Sequence, residues 1–271
     1  MRKPIEFDTS AGKQPVTTKP FNSGYESSFR SLIFRDDLYK RKRKFSEGEH
    51  WLRFLPPIKG SKFPWLLKLD VYQDKGGVTF IAPTTFEDRA VDPFRIAWDW
   101  FKKNKPELLS KKGVNPDGFK LWPTPQGLGW CIDDKQPEGS RLALYLASKY
   151  DGSRGGQPGV AHRLELLANE RDTEPGSATL GELIHGDISH PETGKLVKVT
   201  VSGKGADGFH SYAVAIGKNV VTLESAFDCL TEEEYNMIAP IETTIYVPPV
   251  EEIHEILKGY IGEELHNEIF A

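Results

Sequence analysis

The sequence predicts a mainly β protein of the α+β class, with helical insertions around an antiparallel barrel. Three observations carry this expectation. Short strand-like runs rich in apolar and aromatic residues recur at 49–58, 63–73, 77–83, 196–201 and 210–216. Turn formers separate them, with 19 prolines and 25 glycines in 271 residues. Helical patterning is confined to insertions, of which 92–112 has the best start signal.

The composition sets the class before any motif does. A chain of 271 residues with 38% hydrophobic content can bury one large core or two smaller ones. A mean hydropathy of −0.46 describes a soluble chain. No apolar run reaches the roughly 18 residues of a membrane span, so no membrane partner is expected. Residues 1–20 lack the apolar centre of a signal peptide, and cytoplasmic residence is the expectation. Cys131 and Cys229 lie far apart and suggest neither a disulfide framework nor a zinc ribbon. The net charge is only −4, but it is unevenly spread. Residues 228–271 hold eleven acidic groups and one lysine, net −10, which leaves +6 for the rest. Three regions follow: a basic arm at 1–45, a core at 46–227 and an acidic region at 228–271.

In chain order, 1–22 reads as a loosely attached arm. Residues 23–43 have the spacing of a short amphipathic helix. Three strands follow at 49–58, 63–73 and 77–83, joined by Pro/Gly turns. At 92–112, Asp92 is a natural N-cap, Pro93 suits the first helical position and lysines crowd the end. Pro106 should break or kink this helix. Segments 118–123 and 129–133 read as short strands, and 141–150 fits a strand or a helix. Residues 161–170 suggest a short helix, and 219–224 and 241–247 suggest extended chain. Thr231 and Glu234 have capping-box spacing, and 250–265 reads as an amphipathic acidic helix.

The stretch from Lys40 to Tyr72 concentrates the chemistry. Five consecutive cations, Lys40, Arg41, Lys42, Arg43 and Lys44, lead into Trp51-Leu52-Arg53-Phe54-Leu55-Pro56-Pro57. Alternation puts Trp51, Arg53 and Leu55 on one strand face, and Leu52 and Phe54 on the other. Trp65, Lys68 and Tyr72 repeat the pattern on the next strand. Cations neutralise phosphates while aromatic rings stack on unpaired bases, so this pattern suits a single nucleic-acid strand. An ordinary amphipathic hairpin with core aromatics and solvated lysines has the same pattern, and alternation does not say which face would be the groove.

On these residues the chain resembles the single-stranded DNA-binding proteins of T-even-like phages, the helix-destabilising type. Trp51 to Pro57 is similar to that family's opening strand. Lys135-Gln136-Pro137-Glu138-Gly139, with the run from Arg141 to Lys149, resembles its turn and next strand. Residues 194–216 carry the most specific match, a strand, a Gly-rich turn and Phe209-His210-Ser211-Tyr212. The resemblance covers roughly 47–224. It implies a five-stranded antiparallel barrel of OB type and largely sequence-independent, non-enzymatic binding of single-stranded DNA in replication, recombination or repair. It would place the chain in a bacterial host cell if phage-encoded. It assigns Phe209 and Tyr212 to the DNA cleft, with Lys198 and Lys204 as their neighbours. The basic run resembles the family's motif for self-association along DNA, and the acidic end resembles its region for recruiting replication proteins. Deleting 250–271 should then tighten DNA binding at low salt. The family often holds zinc in an inserted subdomain, but 84–112 contains no Cys or His. Apolar packing around Phe94, Trp98 and Trp100 is expected in its place, with no metal or cofactor.

Two other readings remain from the residues. His185, Asp187 and His190 form the best enzyme-like cluster, suited to a metal-dependent nuclease or other hydrolase. An aromatic surface can also serve a protein-interaction module.

Overall fold

The computed structural model describes residues 4–7, 38, 41–43, 46–61, 63–73, 79–86, 91–110, 115, 117–148, 159–204 and 210–271. The strands are β1 (Lys42–Arg43), β2 (Gly48–Phe54), β3 (Leu67–Gln73), β4 (Thr79–Ile81), β5 (Thr124–Ile132), β6 (Leu142–Ser148), β7 (Lys195–Lys204) and β8 (His210–Val220). The helices are α1 (Pro93–Asn104), α2 (Val160–Asn169), α3 (Leu223–Phe227), α4 (Glu232–Asn236), α5 (Val250–Ile261) and α6 (Glu263–Phe270). None among the described residues is long and apolar enough to cross a membrane. The described residues fall into two compact units. The first draws on the described residues within Met1–Gln14, Asp36–Lys68 and Gln126–Thr244, the second on those within Leu69–Pro125 and Ile245–Ala271. The acidic region 228–271 is thus divided between them.

In the first unit the strands follow the order β1-β6-β5-β2-β7-β8. Neighbours are antiparallel except β1 and β6, which run parallel. This meets the α+β expectation and corrects the closed five-stranded barrel. Among the described residues, β1 and β8 end the path without pairing to each other. Helix α2 packs against both β6 and β8, and its Val160, Ala161 and Leu164 cover the core there in place of a β1–β8 pair.

Alternation explains β7: Val197, Val199 and Val201 are buried while Lys198 and Thr200 between them are not. Register carries this division across the sheet. Leu52, Val197 and Ile216 share the core side, and Trp51, Lys198 and Ala215 share the other. Phe54, Cys131, Tyr145 and Leu164 complete the core cluster. The segment 141–150 resolves as strand β6, and Trp130 is a core residue whose indole N–H donates to the Ala239 carbonyl at 2.9 Å. The capping box at α4 forms, and its Glu234 does more than cap. Its buried carboxylate also accepts the N–H groups of Arg141 (2.7 Å) and Leu142 (3.0 Å), tying the acidic region to β6. Burial works to raise the Glu234 pKa, but donors from Thr231, Leu142 and Arg141 outweigh it and hold the carboxyl below its ordinary value.

In the second unit, β3 and β4 pair antiparallel, Tyr72 opposite Phe80. The Asp92 carboxylate caps α1 by accepting from Phe94 N (3.1 Å) and Arg95 N (3.2 Å). The helix ends before Pro106, where a short 3-10 turn takes over. Phe94 and Phe101 are fully buried, with Trp98 and Trp100 packed at the margin of their cluster. The apolar packing expected at 84–112 is therefore present. The strand expected at 118–123 reduces to a single bridge between Leu109 and Phe119. At 219–224 the chain leaves β8 and enters α3, and at 241–247 it begins with a 3-10 turn, Ile241–Thr244. The expected helix 250–265 breaks into α5 and α6 at Gly262, whose φ of +90° favours a residue without a side chain.

Helices α5 and α6 are not a free acidic tail. Ile253, Leu257 and Ile261 are buried in the same cluster as Phe94 and Phe101. Deleting 250–271 would strip this core, so the expected gain in DNA affinity cannot be read from that truncation.

Candidate nucleic-acid interface

The most coherent cation and aromatic pair lies on the outward face of β2, β7 and β8. Trp51 and Lys198 are register partners across β2 and β7. The Lys198 ammonium stands 5.5 Å from the centroid of the half-buried Trp51 ring. On β8 this face carries only small groups near the ring: Ala213 and Ala215 are exposed, and a Cβ on Gly217 would touch Trp51 at 3.4 Å. The indole is therefore not roofed by a β8 side chain. Glu49 forms an ion pair with Lys198 and occupies its ammonium, while Thr200 adds a hydroxyl opposite Ala213. Chemically, the face offers a ring, a cation and a flat sheet surface. An arriving phosphate would compete with Glu49 for Lys198.

One end of this face is closed, which corrects the expectation for Arg53. That side chain is 1% exposed, as buried as the core leucines. Its guanidinium donates to the carbonyls of Val221 (2.7 Å), Phe54 (2.5 Å), Ile188 (3.2 Å), Ser189 (3.3 Å) and His190 (2.5 Å). Gly194 is required there, because a Cβ would overlap the guanidinium. Desolvation lowers the Arg53 pKa to about 10 against the opposing pull of Asp187, so the group stays charged at neutral pH. Arg53 is a structural clamp, buried out of reach of a phosphate.

Tyr72 is corrected too. It is 1% exposed, sits against Phe80 and Phe94, and its hydroxyl donates to Asp92 at 2.8 Å. Burial first, then the neighbouring Asp92, pushes the Tyr72 pKa far above its ordinary value. Burial likewise raises Asp92 above the usual carboxyl range. Arg41 is mostly buried and donates to the Gly139 carbonyl (2.5 Å) and Glu234 (3.4 Å), which again leaves the cation engaged inside the protein.

The other expected residues are not gathered at Trp51. Tyr212 points to the opposite, core side of β8 and is half-buried there. Trp65 also packs on that core, edge-on to Phe54 at 5.0 Å. Lys68 is exposed and pairs with Glu165 at 2.5 Å. Lys204 is exposed near the far end of β7. Lys42 and Arg43 form β1 and pair with β6. Lys40, Lys44 and Phe209 lie outside the described residues.

The cluster at His185, Asp187 and His190 is engaged by its own loop and by Glu170 at the end of α2. Asp187 accepts from the backbone (2.9 Å) and hydroxyl (2.8 Å) of Ser189. The His190 Nδ1 accepts from Glu192 N (3.1 Å) and Thr193 N (3.2 Å), and His185 faces Glu170 at 3.3 Å. Among the described residues no group of three or more His, Cys, Asp or Glu is placed to hold a metal ion.

The clamp at Arg53 and the Glu234 hub escaped the sequence reading, because each depends on residues about 90 to 190 positions away for most of its partners. No protein-family model and no curated protein matches the chain.

Proposed function

We propose that this chain binds single-stranded DNA without enzymatic action, largely independent of sequence. The Trp51 and Lys198 face is the contact surface in the first unit. The observation that carries the reading is the register pairing of an indole that no β8 side chain roofs with a cation on the outward face of β2, β7 and β8. The basic balance of residues 1–227 and the resemblance of its short motifs to those of phage single-strand binders support it. On this reading a base stacks near Trp51 and a phosphate displaces Glu49 from Lys198. Protection of single strands in replication, recombination or repair is the corresponding role. Self-association along DNA and recruitment of replication proteins by the acidic region belong to the same proposal.

The test is a fluorescence titration with oligo(dT) at two salt concentrations, using the six tryptophans as the signal. Saturable quenching at low salt that weakens strongly at high salt is the expected result. Absence of any quenching or mobility shift at low salt would remove the proposal.

A further inference from the structure

Helix α1 in the second unit carries a separate set of cations on tryptophan rings. The Arg95 guanidinium and the Lys102 ammonium each stand 5.1 Å from the Trp98 ring centroid. Their offsets of three and four residues from Trp98 put all three on one helix flank. Lys105 stands 5.3 Å from Trp100. Arg95, Lys102 and Lys103 are exposed, whereas Phe94, Ala97 and Phe101 on the adjoining face are fully buried.

The bland account of such lysines is the helix dipole, which favours cations in the last turn. It covers Lys102 and Lys103. It does not cover Arg95, which sits in the first turn, where the dipole disfavours a cation. The anionic groups nearby do not cancel the patch. Asp99 meets Arg95 at 3.5 Å in an exposed pair, and Glu268 meets Lys105 at 2.6 Å. Lys102 and Lys103 pair with no described acid.

We infer that the Trp98 flank of α1 is a second contact surface for a single nucleic-acid strand. A base stacks at the Trp98 indole, and phosphates are drawn to Arg95, Lys102 and Lys103. The inference takes its ligand class from the single-strand reading above but rests on different residues. An anionic membrane suits the flank less well. Interfacial helices insert an apolar face, and here that face is buried, leaving Ile96 at 42% exposure as the apolar group on show.

The test compares four versions of the chain in titrations with end-labelled oligo(dT) across salt concentrations. These are the unaltered chain and the variants R95Q/K102Q/K103Q, W98L and W51L/K198Q. The first variant should lower the slope of log affinity against log salt by about 2, at about 0.7 for each phosphate it no longer neutralises. Its urea midpoint should not move. W98L should weaken binding about tenfold. An unchanged slope and affinity in R95Q/K102Q/K103Q, with the unaltered chain binding, overturns the inference and leaves the sheet-face reading standing. Loss confined to that variant, with W51L/K198Q binding normally, supports the inference and removes the sheet face as a site. Binding of the unaltered chain to phosphatidylserine vesicles but not to oligo(dT) overturns it in favour of a membrane.

Discussion

Trp51 and Arg53 stand two residues apart on the same strand and, by alternation, on the same side of it. At Trp51 the side is open, with Ala215 and Gly217 on the far strand and Lys198 beside the ring. At Arg53 the segment from Ile188 to Gly194 closes over the sheet and turns the cation into a five-carbonyl clamp. The same contrast holds for anions, with Glu234 inside against β6 and Glu49 outside on Lys198. Alternation sets the side on which a residue lies. The covering segment decides whether a charge there meets backbone or ligand.

The contrast is broken most forcefully at Arg53. Arg53→Leu should cost at least about 3 kcal/mol, because it leaves several buried carbonyls without donors. Arg53→Lys should recover little, since one ammonium cannot reach both sides of the clamp. Urea unfolding reads both effects. Loss of oligo(dT) affinity with an unchanged urea midpoint would return Arg53 to the ligand surface and defeat the comparison.

Glu234→Gln should cost about 2 kcal/mol, because the amide presents an N–H to donors that the carboxylate now accepts. The pH dependence has a definite sign. A carboxyl held below its ordinary pKa in the folded chain adds stability above its unfolded pKa. That contribution is lost as pH falls through the folded value. Urea midpoints measured from pH 7 down to pH 3 should therefore fall more steeply in the unaltered chain than in Glu234→Gln. Parallel curves would contradict the assignment.

The local signals were legible where the partners are close in sequence. The Asp92 cap, the Thr231 capping box and the alternation of β7 each need only a few residues, and each appears as expected. The fate of Arg53 was not legible, because its acceptors at Ile188 to His190 and Val221 lie more than 130 positions downstream. Tyr72 failed for a related reason. Its strand pattern matches a surface aromatic, but Phe80, Phe94 and Asp92 enclose it. The closed barrel failed because α2 occupies the core beside β6 and β8, and no local pattern in 160–169 says which strands it will meet.

On the open face the effects are smaller and fall on binding. Trp51→Leu should weaken oligo(dT) binding about tenfold. Lys198→Gln should lower the salt slope by about 0.7. Both should leave the unfolding free energy read from urea within about 1 kcal/mol of the unaltered chain. Equal losses of stability and affinity would make Trp51 another core residue and erase its difference from Arg53.

The smallest effect is the most diagnostic, because its sign is opposite. Glu49 keeps the Lys198 ammonium occupied, with their side chains 53% and 27% exposed. Such surface pairs contribute about 1 kcal/mol or less, so Glu49→Gln should barely change stability. Removing its charge frees the cation and deletes a repulsion against phosphate. Affinity for oligo(dT) at low salt should then rise about threefold. The gain should shrink toward nothing as salt screens the exposed charge. Lys198→Gln changes affinity the other way, so a global loosening of the sheet cannot produce both results. Unchanged or weaker binding in Glu49→Gln would mean that phosphate does not arrive at Lys198, and the site would have to be sought off this face.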